Sequence, residues 1–498
     1  MPFLHFKKVN FEAKLKNMQY TDLAPKLVWE HFAQLNAIPR GSKKEEKAAL
    51  FVADFGAKLG LEVLRDEIGN VIIKKPGQNG GESSAPVILQ SHVDMVHQKN
   101  ADTVFNFDED GIRMYVDGEW VKAEGTTLGA DNGMGVAYML TVLQDKSIKH
   151  PPIEALFTID EEAGMTGAKN LGAGLLQGKR LLNIDTEDDE EITIGCAGGV
   201  DTNISLDLRM EETPENTKAY YITVNGLKGG HSGMDIDLGR GNANKILIRL
   251  LFQGYSKFGM RINSLDGGGL RNAIPREAVA TVVVDIQKTG EFEEHLHHLS
   301  EAIKSELSTT EPNLKVKWEL TANPVNVLNI TSQVNIIRAL YSMPNGVYSM
   351  SREIPGLVET SSNLARIVIK DGKFTSQSLQ RSSVESSKED IANAIRSCFE
   401  QIGAVVDNAG DYPGWKPNPK SDLLDIAIAL HKEVFQRDPK VAACHAGLET
   451  GIITGVYPGL DMISIGPTIK HPHSPDEKVK IQSVADFWNF FLKLLAQL

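Results

Sequence analysis

The chain has 498 residues, of which 41% are hydrophobic, and a formal net charge of -13. That length exceeds one ordinary core and predicts two domains or more. The acidic balance argues against nucleic acid or an anionic membrane as partner, no run approaches the roughly 20 apolar residues that span a bilayer, and three cysteines without CxxC spacing (Cys196, Cys398, Cys444) exclude a disulfide framework and fit a reducing cytoplasm.

The opening "MPFLHFKKVNFEAKLKNMQY" lacks the apolar segment and cleavage site of a secretory signal. "SKKEEKAALFVADFGAKLG" (42–60) predicts an amphipathic helix with Ser42 as N-cap and Gly60 as stop. "LEVLRDEIGNVIIKK" predicts a hairpin around Gly69 and Asn70. "APVILQ" (85–90), "IEALFTI" (153–159) and "KRLLNI" (179–184) read as buried strands, with a helix after Asn132 between the first two. Apolar strands alternating with helices imply an α/β sheet buried on both faces.

Near Gly198 and Gly199 the character changes to strands of alternating polarity, interleaved with amphipathic helices such as "NANKILIRLLFQGYSKF" and "EFEEHLHHLSEAIKSEL". The plan repeats with a helix near 332–342, strands near 363–384 and the helix "KEDIANAIRSCFEQIG". "DYPGWKPNP" (411–419) is a Pro/Gly-rich joint, after which "SDLLDIAIALHKEVF" and "LDMISIGP" resume α/β character. The expectation is a discontinuous α/β domain, 1–198 and 406–498, with a mixed sheet and helices on both faces. It is interrupted by an α+β domain, 199–405, of two similar halves whose self-similarity is too weak to establish a duplication.

Each buried strand named for the first domain runs into a metal-ligand type. "VILQ" leads to "SHVDMVH" (His92, Asp94), "ALFTI" to "DEEAG" (Glu161, Glu162), "LLNI" to "DTEDDEE" (Asp185) and "ISIGPTIK" to "HPHSPDE" (His473), while "GTTLGADNGMG" carries Asp131. Ligand sites of open α/β sheets gather at strand carboxyl ends, so distant segments can meet on one rim. Imidazoles with carboxylates suit zinc, manganese or cobalt. The crowded carboxylates would repel without cations, and two divalent ions would both relieve that and suit hydrolysis.

"SHVDMVHQ", "GTTLGADNGMGVA", "IDEEAGMTGA", "NIDTED" and "HPHSPDE" together resemble the signatures of the aminoacyl-histidine (Xaa-His) dipeptidases, in the dinuclear zinc peptidase group that includes aminoacylase and carnosinase. The resemblance runs from about Leu23 to the end, and the residues before it read as an extension. It implies that His92 and Asp185 hold one metal, Glu162 and His473 the other, and that Asp131 bridges both. The ions would be zinc, with manganese or cobalt as alternatives. Asp94 would fix the His92 tautomer, and Glu161 would take the proton of the bridging water and deliver it to the leaving amine. A cis peptide between Asp131 and Asn132 is implied as well. The insertion resembles the family's lid. There His231 would steady the oxyanion, Asn272 would contact substrate, Arg381 would clamp the terminal carboxylate, and Glu449 of "CHAGLETG" would meet the free α-amine.

The function so implied is a cytoplasmic metallo-dipeptidase for substrates with free termini, including Xaa-His, dimerising through the lid. An N-acyl amino-acid amidohydrolase and a non-catalytic metal-dependent binding protein stand as alternatives. Other features read as structural: His97 as a loop histidine, His471 as a non-ligand, "EDDEE" (187–191) as a solvated acidic turn, Cys196 as a packed small residue, and His295, His297 and His298 as exposed on a polar helix face. "GGHSG" is not a nucleophile elbow and "DGGGL" is not a phosphate loop.

Overall fold

The computed structural model describes residues 19–498. Most of the N-terminal extension lies outside the described residues. The chain forms two compact units. The first comprises the described residues up to Gly195 with Pro417–Ala443 and Glu449–Leu498, and the second comprises Cys196–Lys416 and Cys444–Leu448.

In the first unit the main sheet has eight strands, and a smaller four-stranded sheet joins Ile469–Lys470, Lys478–Lys480, Trp120–Ala123 and Met114–Asp117. The order of the main sheet is Glu62–Arg65, Val71–Lys75, Ile153–Thr158, Val87–His92, Arg180–Asn183, Asp461–Ser464, Glu191–Cys196 and Lys440–Cys444. The central four strands, from Ile153–Thr158 to Asp461–Ser464, are mutually parallel, and the pairings that flank them are antiparallel. Ile153–Thr158 and Val87–His92 are buried along their whole length, which explains why they read as unbroken apolar runs. The helix Ala130–Gln144 is apolar on nearly every face because it is buried on nearly every face. The parallel strands end on the same side, so the segments that follow His92, Thr158, Asn183 and Ser464 all emerge at one rim.

The helix predicted from Ser42 begins at Glu46 and ends at Lys58, with Gly60 just beyond it in the left-handed region (φ 74°). Ser42 is not its N-cap. Its hydroxyl donates instead to Asp94 Oδ2 at 2.8 Å, a stronger claim than a helix end that solvent can satisfy. The hairpin turns where Asp66 Oδ1 accepts from the backbone N–H groups of Gly69 and Asn70.

The second unit is built on a nine-stranded antiparallel sheet ordered Lys315–Thr321, Thr217–Asn225, Ala278–Asp285, Arg261–Gly268, Val358–Lys370, Lys373–Ser382, Gly198–Asp207 and Val405–Tyr412, with Gly346–Met350 added on Val358–Lys370. Alternate strand residues, among them Tyr220, Ile222, Val224, Ala280 and Val282, share one core with Leu247, Leu251, Phe292, Ile337, Leu340 and Phe399. Those partners lie on the helices Ala243–Phe258, Thr289–Glu306, Ile330–Ser342 and Glu385–Glu400. Period-two burial against helices on one face is the α+β pattern. His297 and His298 are exposed, but His295 is half-buried with its ring 5.5 Å from that of Phe258, because its helix turns it toward that neighbour.

Among the described residues, no helix is long and apolar enough to cross a membrane.

Candidate metal centre and substrate pocket

His92 ends a buried strand, and its Nε2 lies 3.3 Å from Asp131 Oδ1 and 3.5 Å from Asp185 Oδ1. On the other side of Asp131, its Oδ2 lies 3.2 Å from His473 Nε2, which is also 2.9 Å from Glu162 Oε2. Two ligand groups result, His92–Asp131–Asp185 and Asp131–Glu162–His473, each with donor atoms within 4.8 Å of one another, and Asp131 belongs to both. Glu161 joins His92 and Glu162 in a third such group. These are the five residues to which the sequence assigns metal, with the expected base beside them.

The loop that presents Asp131 is held from behind. Glu477 Oε2 accepts from the backbone N–H groups of Leu128 (2.7 Å) and Gly129 (2.9 Å), and Oε1 from those of Ala130 (2.7 Å) and Asp131 (3.2 Å). Gly129 has φ 69°, and a Cβ there would lie 2.4 Å from Arg40 Nη2, so only glycine fits the turn. The buried Arg40 donates to the carbonyls of Val93, Asp94 and Gly129, tying this loop to the His92 strand end. The Asp131–Asn132 peptide is cis, as the resemblance implies. Asn132 donates to the Ile184 carbonyl (2.8 Å) and to Asp185 Oδ1, which aims the second carboxylate.

Asp94 sits 3.3 Å from His92 Nδ1, a contact without full hydrogen-bond geometry. Its oxygens also accept from the backbone N–H groups of Glu161 (3.0 Å) and Glu162 (3.2 Å). One buried carboxylate thus orients the imidazole and fixes the turn that carries both glutamates. That turn starts at Asp160 in the left-handed region (φ 52°), and His473 is left-handed too (φ 59°). Such backbone persists in a non-glycine residue only where the surroundings over-determine it.

The electrostatics test whether cations fit. Burial by itself would lower the His92 imidazole, but Asp185, Asp131 and Asp94 outweigh it and hold the ring well above its ordinary value. Hydrogen bonds to Asp131 and Glu162 raise His473 to about 11. Protons on these rings do the work that divalent ions would do, namely balancing crowded carboxylates. Glu162 Oε1 is buried without a hydrogen-bond partner, as a ligand oxygen would be. Nitrogen and oxygen donors in this set fit a pair of divalent ions. Burial pushes the Glu161 carboxyl well above the usual range, with His92 opposing and the nearby carboxylates adding to the shift.

Beneath this rim runs a row of buried polar side chains. Glu449, 1% exposed, accepts through Oε2 from Gln90 Nε2 (2.7 Å) and Thr158 Oγ1 (2.5 Å). Gln90 Oε1 accepts from Asn183 (2.5 Å), whose own oxygen accepts from Ser464. Glu449 Oε1 has no partner, and burial raises this carboxyl to about 7.

The second unit gathers the other expected residues. His231 Nδ1 accepts from the backbone N–H groups of Gly233 (3.2 Å) and Met234 (3.0 Å), so in the neutral ring Nε2 carries the hydrogen. Burial, then Arg381, lowers its pKa and keeps it neutral. Arg381 is buried beside it, with Nη2 3.5 Å from His231 Nε2. Asn272 joins through its backbone, its carbonyl accepting from Ser232 N at 2.8 Å, while its side chain is exposed.

The sequence pattern of peptidase family M20/M25/M40 matches residues 88–497. The chain belongs to this family. M20 members are dinuclear metallopeptidases, in keeping with the two ligand groups that share Asp131. The chain is 42% identical over 480 residues to the cytosol non-specific dipeptidase of Escherichia coli (strain K12), covering 96% of this chain and 99% of that one. It also superimposes on the crystal structure of aminoacylhistidine dipeptidase from Vibrio alginolyticus with a TM-score of 0.93 at 44% identity, over 97% of this chain and 99% of that one. Aminopeptidase PepT from Bacillus cereus ATCC 10987 shares the M20 fold, with a TM-score of 0.55 at 16% identity, over 95% and 99% of the two chains.

Sequence reasoning missed Glu477, Arg40, the Asn132 side chain and the Gln90 row. Glu477 lay inside the quoted "HPHSPDE", where no local pattern shows that it is buried against the Asp131 loop. The turn "EDDEE" is also not simply solvated: Asp188 pairs with Lys470, Asp189 and Glu190 with Arg437, and Glu191 with Lys440, since cations from distant segments fold over it. His97 stacks on Phe107 with centroids 4.2 Å apart, a structural role.

Proposed function

We propose that this M20 enzyme is a cytoplasmic dipeptidase that hydrolyses dipeptides with free termini, Xaa-His among them. The observation that carries it is the pair of ligand groups sharing Asp131, with the buried Glu161 carboxyl alongside. His92, Asp131 and Asp185 would hold one ion and Asp131, Glu162 and His473 the other, zinc being favoured by the donor set and manganese or cobalt also compatible. When bound, two such ions acidify a water and polarise the scissile carbonyl.

Glu161 takes the proton of the attacking water on its carboxylate and returns it to the nitrogen of the leaving amine. Burial raises its hold on a proton, which favours accepting one from water, and Glu162, engaged as a ligand, would be a poor base. Asp94 holds His92 and the Glu161 turn in place. His231, neutral with hydrogen on Nε2, donates to the developing oxyanion. Arg381 binds the terminal carboxylate, Asn272 contacts substrate, and Glu449, through its unpartnered Oε1, meets the α-amine. The cytoplasmic assignment is supported by the cysteine usage and by the Escherichia coli relative's name. A homodimer through the second unit is part of the same reading, and light scattering tests it.

The test is hydrolysis of a dipeptide panel, including alanyl-histidine, by zinc- or manganese-loaded protein. Turnover of free dipeptides with little turnover of their N-acetylated forms is expected. Absence of turnover with metal bound refutes the reading, and preference for the acetylated forms makes the enzyme an amidohydrolase.

A further inference from the structure

Arg381 is 4% exposed, yet no carboxylate of the described residues forms an ion pair with it; Asp201, which attracts it at longer range, pairs instead with Arg271. Its contacts are neutral: Nε lies 3.4 Å from Ser232 Oγ, Nη1 donates to the Tyr412 hydroxyl at 2.9 Å, and Nη2 approaches His231. A buried guanidinium without a contacting counter-ion is costly unless an anion completes the site. The Tyr412 oxygen is occupied as an acceptor by Arg381, which leaves the phenol hydrogen free to donate.

The ring is placed rather than draped. A Cβ on Gly199 would lie 2.6 Å from the phenol oxygen, and one on Gly447 would lie 2.9 Å from ring carbon Cε2. Two glycines from distant segments therefore form a slot that no other residue type could leave open. Lys388 Nζ donates to the Tyr412 carbonyl at 2.7 Å, which fixes the backbone as well.

We propose that Tyr412 is a specificity-determining residue: its phenol hydrogen bonds one oxygen of the substrate's terminal carboxylate while Arg381 binds the group ionically. The inference rests on the dipeptidase reading and adds to it the reason why a free C-terminus is demanded. A phenol donor aimed at an anion strengthens with the charge and does much less for a neutral amide.

The experiment compares wild type, Tyr412→Phe and Arg381→Met, all metal-loaded. Substrates are alanyl-histidine and its C-terminal amide. Calorimetry with the reduced-bond analogue of alanyl-histidine, and with that analogue's amide, reads recognition without turnover. Tyr412→Phe should raise KM and Kd for the free acids about tenfold, the worth of one charge-assisted hydrogen bond, with kcat little changed. The amides should be unaffected, which also shows that the variant is folded. Gly447→Ala, which evicts the ring, should reproduce the selective loss. Equal losses on acid and amide, or no loss on the acid, overturn the role of Tyr412. If Tyr412→Phe fails while Arg381→Met abolishes acid-over-amide preference, the clamp stands and only Tyr412 is refuted. Binding of the analogue without hydrolysis of the dipeptide would refute the enzymatic reading and leave the binding test of Tyr412 intact.

Discussion

Glu477→Gln keeps the volume of a buried side chain and turns one of its two acceptor oxygens into an NH2 donor. Four backbone N–H groups, of Leu128, Gly129, Ala130 and Asp131, now share the two carboxylate oxygens. With glutamine, two of them keep a neutral carbonyl and two face an amide NH2. Hydrogen bonds to a charged acceptor contribute roughly 1.5 to 3 kcal/mol each, and a buried donor left unmet costs about 1 to 3 kcal/mol. Loss of two such bonds should destabilise the first unit by roughly 3 to 5 kcal/mol, a large share of the 5 to 15 kcal/mol typical of a domain. The loop that slackens is the one that aims Asp131, so metal affinity should fall with stability. Urea unfolding followed by tryptophan fluorescence gives the first quantity, and calorimetric titration of the metal-free protein with zinc gives the second. A stability change below about 1 kcal/mol, together with unaltered zinc affinity, would refute the claim that Glu477 holds the bridging carboxylate in place.

Glu161→Ala should bind two ions per chain as wild type does, by metal analysis after gel filtration, while kcat falls by at least 10²- to 10⁴-fold, the usual worth of a general base; activity within tenfold of wild type would remove Glu161 from that role. Chelation should lower the melting temperature, because ions bound a thousandfold above Kd stabilise by about 4 kcal/mol, and zinc should restore it; an unchanged melt would argue against a built metal site. Burial, then Arg381 and His231, lowers His445 to about 3, while the unfolded chain retains the ordinary histidine value of 6.5. Between these values the unfolded state binds more protons, so His445 makes stability fall as pH drops from 6.5 toward 3. The slope of unfolding free energy against pH in that window should be shallower for His445→Gln than for wild type, and identical slopes would contradict this assignment.

The order of apolar strands and amphipathic helices determined the α/β class, the insertion and the strand ends that carry His92, Glu161, Glu162, Asp185 and His473. Hydrophobic periodicity is local, so it survives in the sequence whatever the chain does at long range. What the candidate metal ligands share was legible for a related reason: each lies just beyond a recognisable strand or turn.

Convergence was decided by tertiary structure alone. Four parallel strands from distant segments end together, and at that rim the loop after Ile469–Lys470 brings His473 within 3.2 Å of Asp131 at the head of its helix. The supports were hidden for the same reason. Ser42 looked like a helix cap because capping is a local signal, yet it serves Asp94, 52 residues away. Glu477 carries no local sign of its role, yet it meets backbone N–H groups more than 340 residues earlier. Whether a polar side chain is buried, and which partner then satisfies it, depends on segments that a linear reading does not bring together.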